Sequence, residues 1–157
     1  MKTLIRPLLV LALLSPAPSA FAQGLLHAKQ IIFGMDCAPC AYGIEKGLKR
    51  LPGIESVKVS LNEGYAEVTA TQGASVSLAQ IREVIRDNGF TPKDVHVVLE
   101  GMLQLTPPQL VAGVITYPLV LTGKTDIAHG QRVKLTGVIA ADATQVQVEE
   151  IEPLPGQ

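Results

Sequence analysis

Gly34-Met35-Asp36-Cys37-Ala38-Pro39-Cys40-Ala41 holds both cysteines of the 157-residue chain, three positions apart. An apolar run, Gln30-Ile31-Ile32-Phe33, leads into it, and a helix-patterned segment, Ala41-Tyr42-Gly43-Ile44-Glu45-Lys46-Gly47-Leu48, leads out. Cysteines on such a strand-to-helix turn sit where unpaired backbone N–H groups and the helix dipole favour negative charge. Thiols in that setting ionise more readily than free ones. Two thiolates so placed can ligate one soft metal ion or exchange disulfides. A purely structural bridge is a poor explanation, because closing so small a loop constrains the unfolded chain little.

Working outward, the pattern predicts strand, helix, strand, strand, helix, strand. Residues 28–33 form the first strand. Residues 38–51 form the first helix, with Ala41, Ile44, Leu48 and Leu51 on one face, and Pro52-Gly53 stops it. Residues 54–61 and 65–70 alternate as strands around a short Asn62-Glu63-Gly64 loop. Ser77-Leu78-Ala79-Gln80 fits a capping box, Leu78, Ile81, Val84 and Ile85 form the buried stripe, and Asn88-Gly89 ends the second helix. Residues 94–99 form the last strand. This βαββαβ order is the ferredoxin-like arrangement, an α+β fold with both helices on one face of a four-stranded antiparallel sheet. It places the 89–93 loop beside the cysteine loop.

Residues 100–157 differ in texture. Short strand-like pieces at 99–105, 110–114, 117–122, 132–139 and 146–151 alternate with turn signals such as Pro107-Pro108 and His129-Gly130. They predict a small β-rich module, OB-like in size. It is short for an independent core and is expected to lean on the module spanning 28–99.

Composition narrows the function. The chain is 47% hydrophobic and 17% charged, with a net charge of −1 and no Trp, so it carries neither the basic stripe nor the stacking platform of a nucleic-acid binder. Residues 1–22 read as a cleaved signal peptide: Lys2 and Arg6, the apolar run Leu8 to Leu14, then small residues ending Ala20-Phe21-Ala22. A transmembrane anchor needs roughly 20 apolar residues, and Pro7, Pro16 and Pro18 interrupt this stretch. Losing Lys2 and Arg6 takes the net charge from −1 to −3. The expected location is the periplasm, where close thiols become oxidised unless a metal or a reductant holds them apart.

The cysteine loop, within this element order, resembles the heavy-metal-associated domain family. Leu51-Pro52-Gly53-Ile54, Val57-Lys58-Val59-Ser60-Leu61 and Ile85-Arg86-Asp87-Asn88-Gly89-Phe90 extend the resemblance across residues 29–99. It implies a non-enzymatic carrier in which Cys37 and Cys40 hold one soft ion, Hg(II), Cu(I), Zn(II) or Cd(II), and pass it to the cysteine pair of a membrane metal transporter. It also implies that Gly34, Met35 and Phe90 support the loop, with Met35 a buried anchor rather than a ligand. Asp36 stands where copper-handling members often carry Thr. Either it adds an oxygen ligand suited to a divalent ion, or it caps the helix.

Cys-Ala-Pro-Cys also resembles the redox motif of thioredoxin-like oxidoreductases. Against that, no Trp precedes Cys37, the element order differs, and Pro39 is explained by its place in the first helical turn. A third reading makes the C-terminal module a protein-docking surface with the metal site as a sensor. His27, His96 and His129 have no ligand spacing to one another or to the cysteines, and His96 is expected to be a sheet residue with a satisfied ring.

Overall fold

The computed structural model describes residues 23–123 and 125–155. The expected signal segment, residues 1–22, lies outside the described residues. The elements in order are β1 (Gly24–Phe33), α1 (Ala38–Leu48), β2 (Ile54–Ser60), β3 (Tyr65–Ala70), α2 (Leu78–Asp87), β4 (Thr91–Leu105), β5 (Pro108–Ala112), β6 (Ile115–Val120), β7 (Arg132–Ile139) and β8 (Val146–Pro153).

The first half is the ferredoxin-like sandwich. Its strands lie in the order β2-β3-β1-β4, with β1 antiparallel to both β3 and β4. Ala28, Ala66, Val68 and Val95 from the sheet and Ile44, Leu48, Ile81 and Ile85 from the helices are wholly buried in one core. Removing each such Leu or Ile side chain from water contributes roughly 1.5–3 kcal/mol. The capping box at Ser77 is present: its Oγ accepts the Gln80 N–H at 3.3 Å, and Gln80 Oε1 accepts the Ser77 N–H at 2.9 Å.

β4 is longer than its sequence pattern indicates. The pieces expected at 94–99 and 99–105 are one 15-residue strand, so the module boundary expected after Leu99 falls inside it. Its first part pairs with β1, from Thr91 opposite Phe33 to Glu100 opposite Gly24. Met102 to Leu105 then pair with β5, while the other edge, Val95 to Met102, pairs with β7. The change of partner falls at Gly101, where an added Cβ would lie 2.3 Å from the Val111 carbonyl oxygen. Only glycine lets β4 bend so close to β5.

From β4 the pairing runs through β5, β6, β8 and β7 and returns to β4, closing a five-stranded ring in which β6 and β8 are parallel. Leu103, Leu110, Val133 and Val146 fill its interior.

Side-chain bonds reinforce the seam. Buried Gln30 donates through Nε2 to the Lys93 carbonyl at 2.7 Å and accepts from Arg82 Nε at 3.2 Å. Asp94 Oδ1 accepts the Ala141 N–H at 2.9 Å, and Arg132 Nε lies 3.1 Å from Glu100 Oε1. The Asp94–Ala141 bond holds the turn between β7 and β8 at the same end of β4 as the cysteine loop.

Candidate metal centre

The three residues expected to support the loop between β1 and α1 are placed as follows. Gly34 turns the chain with φ +91, a conformation that side-chain-bearing residues rarely adopt, and a Cβ there would stand 3.8 Å from Phe90. Met35 is buried in the core, as an anchor would be. Phe90 is partly buried against the same core from the turn after α2.

The helix start follows. Cys37 is the N-cap residue of α1, and its sulfur accepts the Cys40 N–H at 3.2 Å. Pro39 falls among the first helical positions, where its missing N–H removes no helix bond. The first turn holds no acidic residue to consume the helix end's positive potential. Asp36 is exposed and stands one residue outside the cap, so the capping role considered for it belongs to Cys37.

Cys37 and Cys40 are joined as a disulfide, with their Cα atoms 5.1 Å apart. Asp36, Cys37 and Cys40 each present one ligand atom, all within 4.8 Å of one another. Two soft sulfurs and one hard oxygen thus converge on an accessible loop. Once the sulfurs are reduced, that donor set fits one thiophilic ion and leaves room for an incoming ligand.

Two exposed aromatic residues flank the loop in the chain, and their sequence context does not single them out. Phe33 is 67% exposed and Tyr42 64%. Lys93 Nζ stands 5.4 Å from the Phe33 ring centroid and Lys46 Nζ 6.0 Å from that of Tyr42. The histidines do not join the centre. His96 is exposed on β4, and His129 Nδ1 accepts the Leu105 N–H at 3.2 Å.

Residues 31–91 match the family model of the heavy-metal-associated domain. This part of the chain is a heavy-metal-associated domain. Among curated relatives, a copper-transporting ATPase of Oryza sativa subsp. japonica is 45% identical over 62 residues, covering 40% of this chain and 6% of the relative. A copper-exporting P-type ATPase of Bacillus subtilis (strain 168) is 41% identical over 69 residues, covering 44% of this chain and 8% of that one. The chain therefore spans under a tenth of the length of these relatives. Among solved structures, the CopZ metallochaperone aligns with 26% identity and a TM-score of 0.40, covering 42% of this chain and 97% of that one. A yeast copper-transporter domain aligns with 28% identity and a TM-score of 0.40, covering 43% and 90%. The heavy-metal-associated domain includes the whole cysteine loop, α1 and α2, and ends at the first residue of β4.

Proposed function

We propose that the protein is a periplasmic metal carrier that holds one soft ion between the Cys37 and Cys40 thiolates and hands it to the cysteine pair of a membrane transporter. The observation that carries this reading is the convergence of Asp36, Cys37 and Cys40 at the start of α1, inside the heavy-metal-associated domain. The ion is cargo rather than a resident cofactor. Loading begins when a dithiol reductant supplies two electrons and two protons to the disulfide and is itself oxidised to a disulfide. Binding of the ion then displaces both thiol protons. The Cys40 N–H and the open end of α1 stabilise the charge left on Cys37. Transfer proceeds by stepwise thiolate exchange, which the exposed loop permits.

The relatives named for copper transport put Cu(I) first among the candidate ions. Asp36 bears on Zn(II) and Cd(II): with Cys37 in the cap position, its carboxylate is left exposed beside the sulfurs. The export pattern of residues 1–22 supports the periplasmic location. Phe33 and Tyr42, with Lys93 and Lys46 against them, offer an apolar and basic rim to the transporter. The strand ring β4-β5-β6-β8-β7, with its parallel β6–β8 pair, supports an OB-like reading of the C-terminal half.

The disulfide itself favours a second reading, thiol-disulfide exchange through Cys-Ala-Pro-Cys. One experiment separates the two. Reduced protein is titrated with Cu(I) and Zn(II) against a competing chelator, and oxidised protein is assayed for disulfide transfer to a reduced, unfolded substrate. The carrier binds one ion per chain and turns over far more slowly than a thioredoxin-like control. Undiminished binding after both cysteines are changed to Ser, or turnover matching the control, rejects it.

A further inference from the structure

A cavity of about 340 Å³ lies between α2 and the strand ring. Its walls are apolar where Leu78 of α2 meets Ile115 of β6 and Ile139 of β7. Arg82 and Arg86, one helical turn apart, line the same space. Neither forms an ion pair among the described residues, although two like charges at this spacing repel.

Arg82 is also held in place. Its Nε donates to Gln30 Oε1 at 3.2 Å, and one terminal nitrogen reaches the Lys93 and Ala140 carbonyls at 3.5 and 3.4 Å. The other terminal nitrogen keeps its donors without a protein partner among the described residues. Burial, and then the charge of Arg86, lower its pKa from the ordinary value. Guanidinium remains cationic even so. Tyr117, a third lining residue, carries a buried hydroxyl with no hydrogen-bond partner among the described residues.

We propose that this cavity binds a small organic anion, its oxyanion headgroup forked by Arg82 and Arg86 and its short apolar body packed between Leu78, Ile115 and Ile139. The volume falls within the range of small-ligand sites, and the mix of mainly apolar wall with a few fixed polar groups is what such sites share. Guanidinium geometry suits carboxylate and phosphate alike. The site is independent of the cysteine loop: the two share no residue, so it stands whichever ion the loop carries.

The test is an NMR titration of the whole protein with hexanoate, hexyl phosphate and hexanol. At least one anion should bind tenfold or more tightly than hexanol, shifting the Ile115 and Ile139 methyl signals. Whichever anion binds better names the headgroup. Arg86→Gln should weaken anion binding at least fivefold and leave the hexanol response unchanged. Arg86 makes no side-chain bond among the described residues, so this variant retains its fold even if Arg82→Lys disturbs the seam. Equal affinity for hexanol and the anions, shifts confined to other surfaces, no binding by any probe, or indifference to Arg86→Gln overturns the proposal.

Discussion

At the start of α2, Ser77 and Gln80 exchange hydrogen bonds, oxygen to N–H in both directions. At the start of α1 the same position is held by Cys37, whose sulfur takes one N–H at 3.2 Å and returns nothing. Sulfur is a weak acceptor. By the rules of helix capping α1 is therefore the poorer start, although both helices bury comparable stripes in one core. On the proposed function, the difference separates a helix end completed for stability from one left open for the charge of reduced sulfurs. Local rules are most often broken where a site needs them broken.

Cys37→Ser makes the two helix starts chemically alike. Affinity for Cu(I) should fall at least about 1,000-fold, roughly 4 kcal/mol, because a neutral hydroxyl replaces a thiolate ligand. Competition titration of the reduced variant measures it, and retention within tenfold removes Cys37 from the ligand set. Acid should imitate the substitution in part. Both thiolates must lose protons to bind, so affinity should decline steadily as pH is lowered. A pH-independent affinity would mean that the sulfurs are not the donors.

Asp36 comes next in size. If its carboxylate completes the site, Asp36→Thr weakens Zn(II) binding more than tenfold, about 1.4 kcal/mol, and moves Cu(I) far less. The structure sharpens this test: Cys37 fills the cap, so any change in metal preference cannot be assigned to a lost cap at Asp36. A Zn(II)-to-Cu(I) affinity ratio equal to that of the unmodified protein would leave Asp36 as a bystander.

The two helix starts were also unequally legible. Ser77 to Gln80 spells out its capping box, and the cysteine loop announces its chemistry, because both depend on neighbours within a few positions. Family resemblance led to the expectation that Met35 is buried, which the structure shows, and that Phe90 lies near the loop, where it is partly buried against the same core. The seam could not. Gln30 reads as one more position in an alternating strand, yet it is wholly buried and binds Arg82, 52 residues away. β4 reads as two pieces meeting at Leu99, while in the fold the strand runs on through Glu100, which pairs with Arg132, and Gly101, which makes the bend. Periodicity registers local faces, and partners brought together by the chain's return leave no local trace. Phe33 and Tyr42 escaped for the same reason, since an aromatic residue beside an apolar run looks like core.

Ser77→Ala removes the oxygen that receives the Gln80 N–H and should cost about 1 kcal/mol, lowering the melting temperature by a few degrees in a chain of this size. Ion affinity should not move, because Ser77 lies at the far end of α2 from Phe90 and touches nothing in the cysteine loop. Cys37→Ser, measured on reduced protein, should do the opposite. It installs a better cap, so stability should hold or rise by up to about 1 kcal/mol while metal binding collapses. Because β4 belongs to both halves, a single unfolding transition should report both substitutions. Denaturant midpoints of the two variants beside the reduced parent are sufficient. Should Cys37→Ser prove as destabilising as Ser77→Ala, the sulfur is needed for folding and α1 is not an end left open for charge. Should Ser77→Ala also weaken ion binding, the helix starts are coupled through the core, and the division between them does not hold.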